Sequence, residues 1–200
     1  RGPDAAGYAA LLAALEDRRE AARTRLRATL AGPEGRLFLL DLSAFAELRG
    51  WLDPADHGQT ERLSRPAEAA AAEALERRWR KVRKAAKGLP RLDSEGRHRL
   101  RKELKKLRYG VEFLGPLFPA KRVKTFRKRL KALQDAFGAL NDAAVAETVF
   151  AGEYPPAGDD PVAQRAAGRL LGALERRAQA DWADARAGWA ALRAETPFWR

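Results

Sequence analysis

The chain has 200 residues, 39 of them Lys or Arg against 27 Asp or Glu, a net charge of +12, and no cysteine or methionine. That length makes one domain or two small ones with room for a real core, and the lack of cysteine excludes disulfides, thiolate catalysis and the usual structural zinc sites. A chain without cysteine fits a reducing cytoplasm; no apolar run reaches the roughly 18 residues of a membrane span and no signal-peptide pattern opens the chain.

Residues 4–31 place Leu11, Leu15, Leu26 and Leu30 at helical spacing and close on Gly32-Pro33. Residues 34–52 read as a second helix, with Leu37, Leu40, Ala44 and Leu48 periodic. The stretch DPADHGQTERLSRP is a connection and the best internal boundary, and its His57 reads as an ordinary exposed loop residue. A third helix runs from about Pro66 to Lys87, with Pro suited to a first turn and Leu75, Trp79, Val82 and Ala86 facing inward. A fourth spans 94–115. Its Leu100, Leu104, Leu107, Val111 and Leu114 form a clean stripe, Asp93 or Ser94 caps the start, and Gly115-Pro116 ends it. A fifth covers roughly 120–150, with Val123, Phe126, Leu130, Leu133 and Phe137 on one face. GEYPPAGDDP is a loop, and a sixth helix runs from about Pro161 to Ala194. With no convincing strand, the fold class is all-α, packed as antiparallel helical bundles. Residues 65–200 supply a complete four-helix bundle, whereas 1–64 supply two helices, which cannot close a core by themselves.

The charge is segregated. Residues 77–131 hold 22 cations and 4 acids, while the remaining residues hold 17 cations and 23 acids. Such concentration costs stability through self-repulsion and points to an anionic partner. Within it, three successive helices carry a basic stripe behind an apolar one. The third offers Arg77, Arg80, Lys81, Lys84 and Lys87. The fourth offers His98, Arg101, Lys102, Lys105 and Tyr109, with Lys106 and Arg108 flanking. On the fifth, Lys121, Lys124, Lys128 and Lys131 form an outer row flanked by Arg122, Arg127 and Arg129. A single such row would be an ordinary solvated face. Three in succession, short of the Glu partners that solvated faces carry at i,i+4, read as a polyanion-binding surface.

HRLRKELKKLRYGVEFL, followed by KRVKTFRKRLKALQDAFGALNDAAVA, resembles the CHAD family, the conserved histidine α-helical domain. The closing PFWR also looks like the family's usual end, so the resemblance extends over about residues 5–200 and is strongest over 94–147. It implies a pair of helical bundles related by an internal repeat, with a basic channel that binds inorganic polyphosphate without catalysis, in some members on polyphosphate granules. Carried over, the polyphosphate contacts are His98, Arg101, Lys102, Lys105, Arg108 and Tyr109, with Lys121, Arg122, Lys124, Lys128 and Arg129. Arg77, Arg80, Lys81 and Lys84 form a third wall. The family's histidine motif normally occurs twice, but here it occurs once. Residues 1–64 therefore resemble the last two helices of a first half-bundle, with the first motif upstream of Arg1, which lacks the methionine of a translation start. Arg18, Arg19 and Arg23 would line the first half's side of the channel. His98 either answers the ligand's charge or holds its helix against a neighbour by a hydrogen bond.

Catalytic readings find little support. His98 has cations rather than a carboxylate and a nucleophile as helical neighbours, there is no phosphate-binding G-x-x-x-x-G-K-[ST] loop, and no acidic cluster suits a metal. No cofactor is expected. Two other binding readings stay open: a nucleic acid, drawn by the same charge, and an acidic protein. Single-strand binders interleave aromatics that stack bases. Here Tyr109 is the one aromatic expected on the cationic faces, with Trp79, Phe113, Phe126 and Phe137 assigned to the core.

Overall fold

A computed structural model of the chain describes residues 5–152 and 155–200. Among them are seven α-helices, two single 3-10 turns and no strand: α1 (Ala5–Ala31), α2 (Pro33–Glu47), α3 (Gln59–Ser64), α4 (Ala67–Ala85), α5 (Ser94–Leu114), α6 (Ala120–Ala151) and α7 (Pro161–Ala194). The fold class is all-α, as expected. Two differences concern the connection after α2, which contains the short helix α3, and α2 itself, which stops at Glu47 rather than near residue 52. Arg49, with φ 51°, is in the left-handed region and ends the helical path. Of the expected segments, Asp4 and the loop residues Glu153 and Tyr154 lie outside the described residues.

The chain divides into two compact units. One comprises 1–65 with 156–167, and the other 66–155 with 168–200. The last helix therefore contributes to both, its first turns going to the smaller unit.

In the smaller unit α1 and α2 pack as a hairpin. Only the start of α1 is covered. Leu11 is buried, and Gly7 lies so close to α7 that a Cβ there would be 2.5 Å from the Val162 carbonyl oxygen. Glycine is what lets the two backbones approach. Beyond this point α1 is open, and α2 has no buried residue.

The larger unit has a closed core. Leu75, Trp79 and Val82 from α4 meet Leu100, Leu104, Leu107 and Val111 from α5. Phe126, Leu130, Leu133 and Phe137 of α6 and Ala185, Trp189 and Leu192 of α7 complete it. These are the stripes at spacings of three and four that the sequence carries. Asp93 caps α5, accepting from the Gly96 amide at 2.7 Å, which satisfies one of the unpaired N–H groups of the first turn. The C-terminus folds back into this core. Phe198 and Trp199 are buried, and Trp199 packs edge-on against Phe126 with ring centres 5.0 Å apart. One aromatic departs from expectation: Phe113, assigned to the core, is 85% exposed. It follows Val111 of the buried stripe by two positions, about 200° around the helix.

Candidate anion-binding groove

Each of the four acids in the basic zone is already committed. Asp93 caps α5, Glu95 pairs with Arg99, Glu103 with Lys106 at 2.7 Å and Glu112 with Arg108 at 3.3 Å. Among the described residues most of the surrounding cations have no carboxylate partner, and none is buried.

A groove of about 440 Å³ runs between α5 and α6, lined by Arg101, Lys105 and Arg108 on one side and Gln134, Asp135, Gly138, Ala139 and Asp142 on the other. Arg101, Lys105 and Arg108 recur at spacings of four and three, so one flank of α5 presents all three. Arg108 is the most constrained. Its Nε is buried and has no hydrogen-bond partner, and its guanidinium is 5.0 Å from the centre of the Tyr109 ring. Buried donors are normally satisfied, and Arg108 Nε is an exception here, as is the acceptor Glu103 Oε2. Lys105 is 5.8 Å from the same ring, so Tyr109, half-exposed, lies against two of the groove's cations.

His98 is next to the groove. Its Nδ1 and Asn141 Oδ1 are 3.2 Å apart, a hydrogen bond that joins the second turn of α5 to α6 across 43 residues of chain. With the amide oxygen as acceptor, Nδ1 is the donor. This is the hydrogen-bonding alternative for His98, with Asn141 as its partner.

The other candidates are distributed around the unit. Lys102 is exposed on α5, about 100° round the helix from Arg101, and does not line the groove. Lys121, Arg122, Lys124 and Lys128 are exposed on the first half of α6 and do not line the groove. Arg129 turns the other way and pairs with Glu195 at 2.6 Å. Arg122, seven residues earlier, shares that flank. On α4, Arg77 is near Glu73 at 3.7 Å and Lys81 is exposed. Arg80 and Lys84 line a separate pocket between α4 and α7. In the smaller unit Arg19 and Arg23 are engaged with Glu16 and Glu20 one turn away, and His57 is exposed in its loop.

The residues that sequence reasoning missed are on α6: Gln134, Asp135, Asp142 and Asn141. The LND triplet at 140–142 did signal Asn141 and Asp142, but it reads as the end of a basic helix rather than as a groove wall. Lys131, in the outer row, is held by Asp135 at 2.7 Å. Among the described residues no three His, Asp or Glu side chains are grouped to hold a metal, and no helix is long and apolar enough to cross a membrane.

A model of the CHAD domain family matches residues 1–151. The match ends with α6 and does not take in the closing PFWR. No curated protein and no solved structure matches the chain.

Proposed function

The chain belongs to the CHAD domain family, and on that premise we propose that it is a non-catalytic binding module for inorganic polyphosphate. The observation that carries the reading is the α5–α6 groove, where Arg101, Lys105 and Arg108 converge and a buried guanidinium N–H lacks an acceptor. A linear polyphosphate offers a phosphate oxygen every few ångströms and no base. Guanidinium forks take two such oxygens at once, and ammonium groups act as movable point charges. The exposed Lys102, Lys121, Arg122, Lys124 and Lys128 would then extend the track along α5 and α6, and attachment to polyphosphate granules would follow from the same contacts. Asp135 and Asp142 oppose an anion in the groove, so the polymer would ride on the α5 side.

A second reading has its own support. Phe113 is 85% exposed and Tyr109 is 50% exposed, one turn apart on α5. Two surface aromatics beside cations could stack the bases of a single strand.

The test is a titration of the wild type and of the Arg101→Gln, Lys105→Gln, Arg108→Gln triple variant with polyphosphate, single-stranded DNA and an acidic peptide of matched charge. Polyphosphate should bind tightest, its affinity falling steeply between roughly 50 and 200 mM salt as counterions are released. The triple variant should bind at least about tenfold more weakly, with a shallower salt dependence. Salt-insensitive binding, or an unaffected triple variant, would remove the proposal. Tighter DNA binding that is lost in a Tyr109→Ala, Phe113→Ala variant would establish the second reading.

A further inference from the structure

His98 makes one contact that capture of a polymer by cations leaves unexplained. On α5 it precedes Arg101 by three residues and Lys105 by seven, so it continues the flank that forms one wall of the groove. On α6 Asn141 is half-buried, next to Asp142 and one turn after Gly138, both of which line the other wall. The 3.2 Å bond between His98 Nδ1 and Asn141 Oδ1 therefore spans the two helices at the groove's edge.

Asparagine is an unusual choice for this place. It is among the weaker helix formers because its amide competes for backbone hydrogen bonds, yet Asn141 stands inside α6, well before its end at Ala151. Its amide reaches across to His98 instead. Both ends of the bond are on fixed elements, since Phe137 and Leu140 of α6 and Leu100 of α5 are buried in the core. The amide oxygen accepts, so the proton of the neutral ring is on Nδ1. An imidazole free in water favours the other tautomer. The consequence falls on Nε2, which has no hydrogen-bond partner among the described residues. In the neutral ring Nε2 then carries a lone pair, which repels a phosphate oxygen. Once the ring takes up a proton from solvent, Nε2 becomes a charged donor while the bond to Asn141 is kept.

We infer that Asn141 is a positioning residue for the groove: it holds the His98 ring with Nδ1–H towards α6, so that Nε2 is the nitrogen offered to a bound polyphosphate and meets it in the protonated form. This role rests on the polyphosphate reading of the groove and adds a proton-dependent contact to it. The charged groups around His98 leave that contact to the ligand. Within one turn on α5 are Glu95, Arg101 and Lys102, and Glu95 is taken by Arg99. On α6 Asp142 follows Asn141 directly. Towards α7, Arg97 lies over the Trp182 ring at 4.2 Å, and Asp181, next to Trp182 in sequence, pairs with Arg177 at 3.8 Å. A phosphate chain brings the negative charge that stabilises the protonated ring. Binding therefore takes up a proton, and affinity rises as pH falls.

The test uses the whole chain, 15N-labelled, with long-chain polyphosphate, whose interior phosphates do not titrate near neutral pH. Wild type, Asn141→Ala and Asn141→Asp are compared in long-range 1H–15N spectra of the imidazoles. Their polyphosphate affinities are measured at about pH 6 and about pH 8, the span over which histidine changes charge. Alanine is the better helix former, so Asn141→Ala should keep its fold, which its melting temperature checks. Free wild type should show His98 protonated at Nδ1 at about pH 8, and at about pH 6 polyphosphate should add the second proton. Asn141→Ala should show the Nε2–H tautomer and bind roughly fivefold more weakly at about pH 6, with no change at about pH 8. A bond that only braced the two helices would lower affinity equally at both. Asn141→Asp, whose carboxylate also accepts from Nδ1, should restore the tautomer and the ratio of the two affinities. A free wild type with His98 protonated at Nε2 overturns the inference and leaves the groove reading standing. So does an Asn141→Ala variant that binds unchanged at about pH 6, or equally weakened at both values. A wild type that binds no polyphosphate at either pH fells the groove reading, and this role with it.

Discussion

Leucines of the same helical spacing meet opposite fates in the two units. In the larger one Leu100, Leu104 and Leu107 of α5 are fully buried. In the smaller one Leu37, Leu40 and Leu48, equally periodic, are 58%, 64% and 80% exposed. The difference lies in what surrounds them. α5 has one apolar stripe, with α4 and α6 packed along it and residues of α7 in the same core. α2 has Leu37, Phe38, Leu39 and Leu40 in succession, which places apolar side chains all round the helix, and Phe38 and Leu39 are exposed too. A helix of that kind belongs inside a core, yet among the described residues α1 is the helix that packs along it. The charge contrasts as well. The larger unit carries the concentrated cations, whereas α1 and α2 alternate Arg with Glu and Asp and neutralise some of them locally. Periodicity thus tells which face could be buried, and the number of partner helices decides whether it is.

The sharpest way to test this contrast is to make one substitution in both units. Leu104→Ala should cost about 2–5 kcal/mol of unfolding free energy, the transfer and cavity terms of a filled core site. Leu40→Ala, on a side chain already in water, should change it by less than about 0.5 kcal/mol. Urea unfolding of both variants measures the difference. A Leu40 variant as damaged as the Leu104 variant would mean that α2 is covered in solution.

A smaller effect is expected where the larger unit closes. Glu76 receives Arg200 and Trp199, tying the chain end to α4. The hydrogen bonds from Arg200, then those from Trp199 and the nearby guanidinium charge, hold its carboxyl below the ordinary value of 4.5. A depressed carboxylate stabilises the fold above its unfolded pKa, and that contribution is lost as pH falls through the lower folded value. Glu76→Gln should therefore cost on the order of 1 kcal/mol at neutral pH. Its deficit relative to the wild type should shrink as pH drops below 4.5. A deficit constant from pH 7 to pH 3 would show that the carboxylate charge contributes nothing.

How far the sequence carries the reader follows the same divide between local and non-local causes. The long helices of the larger unit are legible because each has a stripe, a cap or a proline at its end. α3 is not, since six residues are too few for a period, and Asp53, Asp56 and Gly58 signal a turn. It is held by contacts outside any pattern, such as the Gln59 side chain bridging the Asp53 amide and the Trp51 carbonyl. The exposure of Phe113 was open to reading, because its offset from Val111 places it off the stripe; its apolar character misleads. The groove was half legible. Arg101, Lys105 and Arg108 share a flank by spacing alone. Which flank of α6 faces them depends on how that helix is rotated in the core. Neither the His98–Asn141 bond nor the diversion of Arg129 to Glu195 can be read from local sequence.

The smallest expected effect on stability has the opposite sign. Lys102 and Lys105 are exposed on α5 with no carboxylate partner among the described residues, beside Arg101, Lys106 and Arg108. Replacing both by Gln keeps helix propensity nearly constant and removes two mutually repelling charges. The larger unit should then hold its melting temperature or gain slightly, within about 0.5 kcal/mol. Polyphosphate binding should weaken and its salt dependence become shallower, since fewer counterions are released. Leu104→Ala should do the reverse, losing stability while the folded fraction keeps its affinity. If the proposed site is right, stability and binding separate in this helix, because Leu104 is buried and Lys102 and Lys105 are exposed. A double Gln variant that binds as tightly as the wild type at every salt concentration would take the ligand off this face of α5.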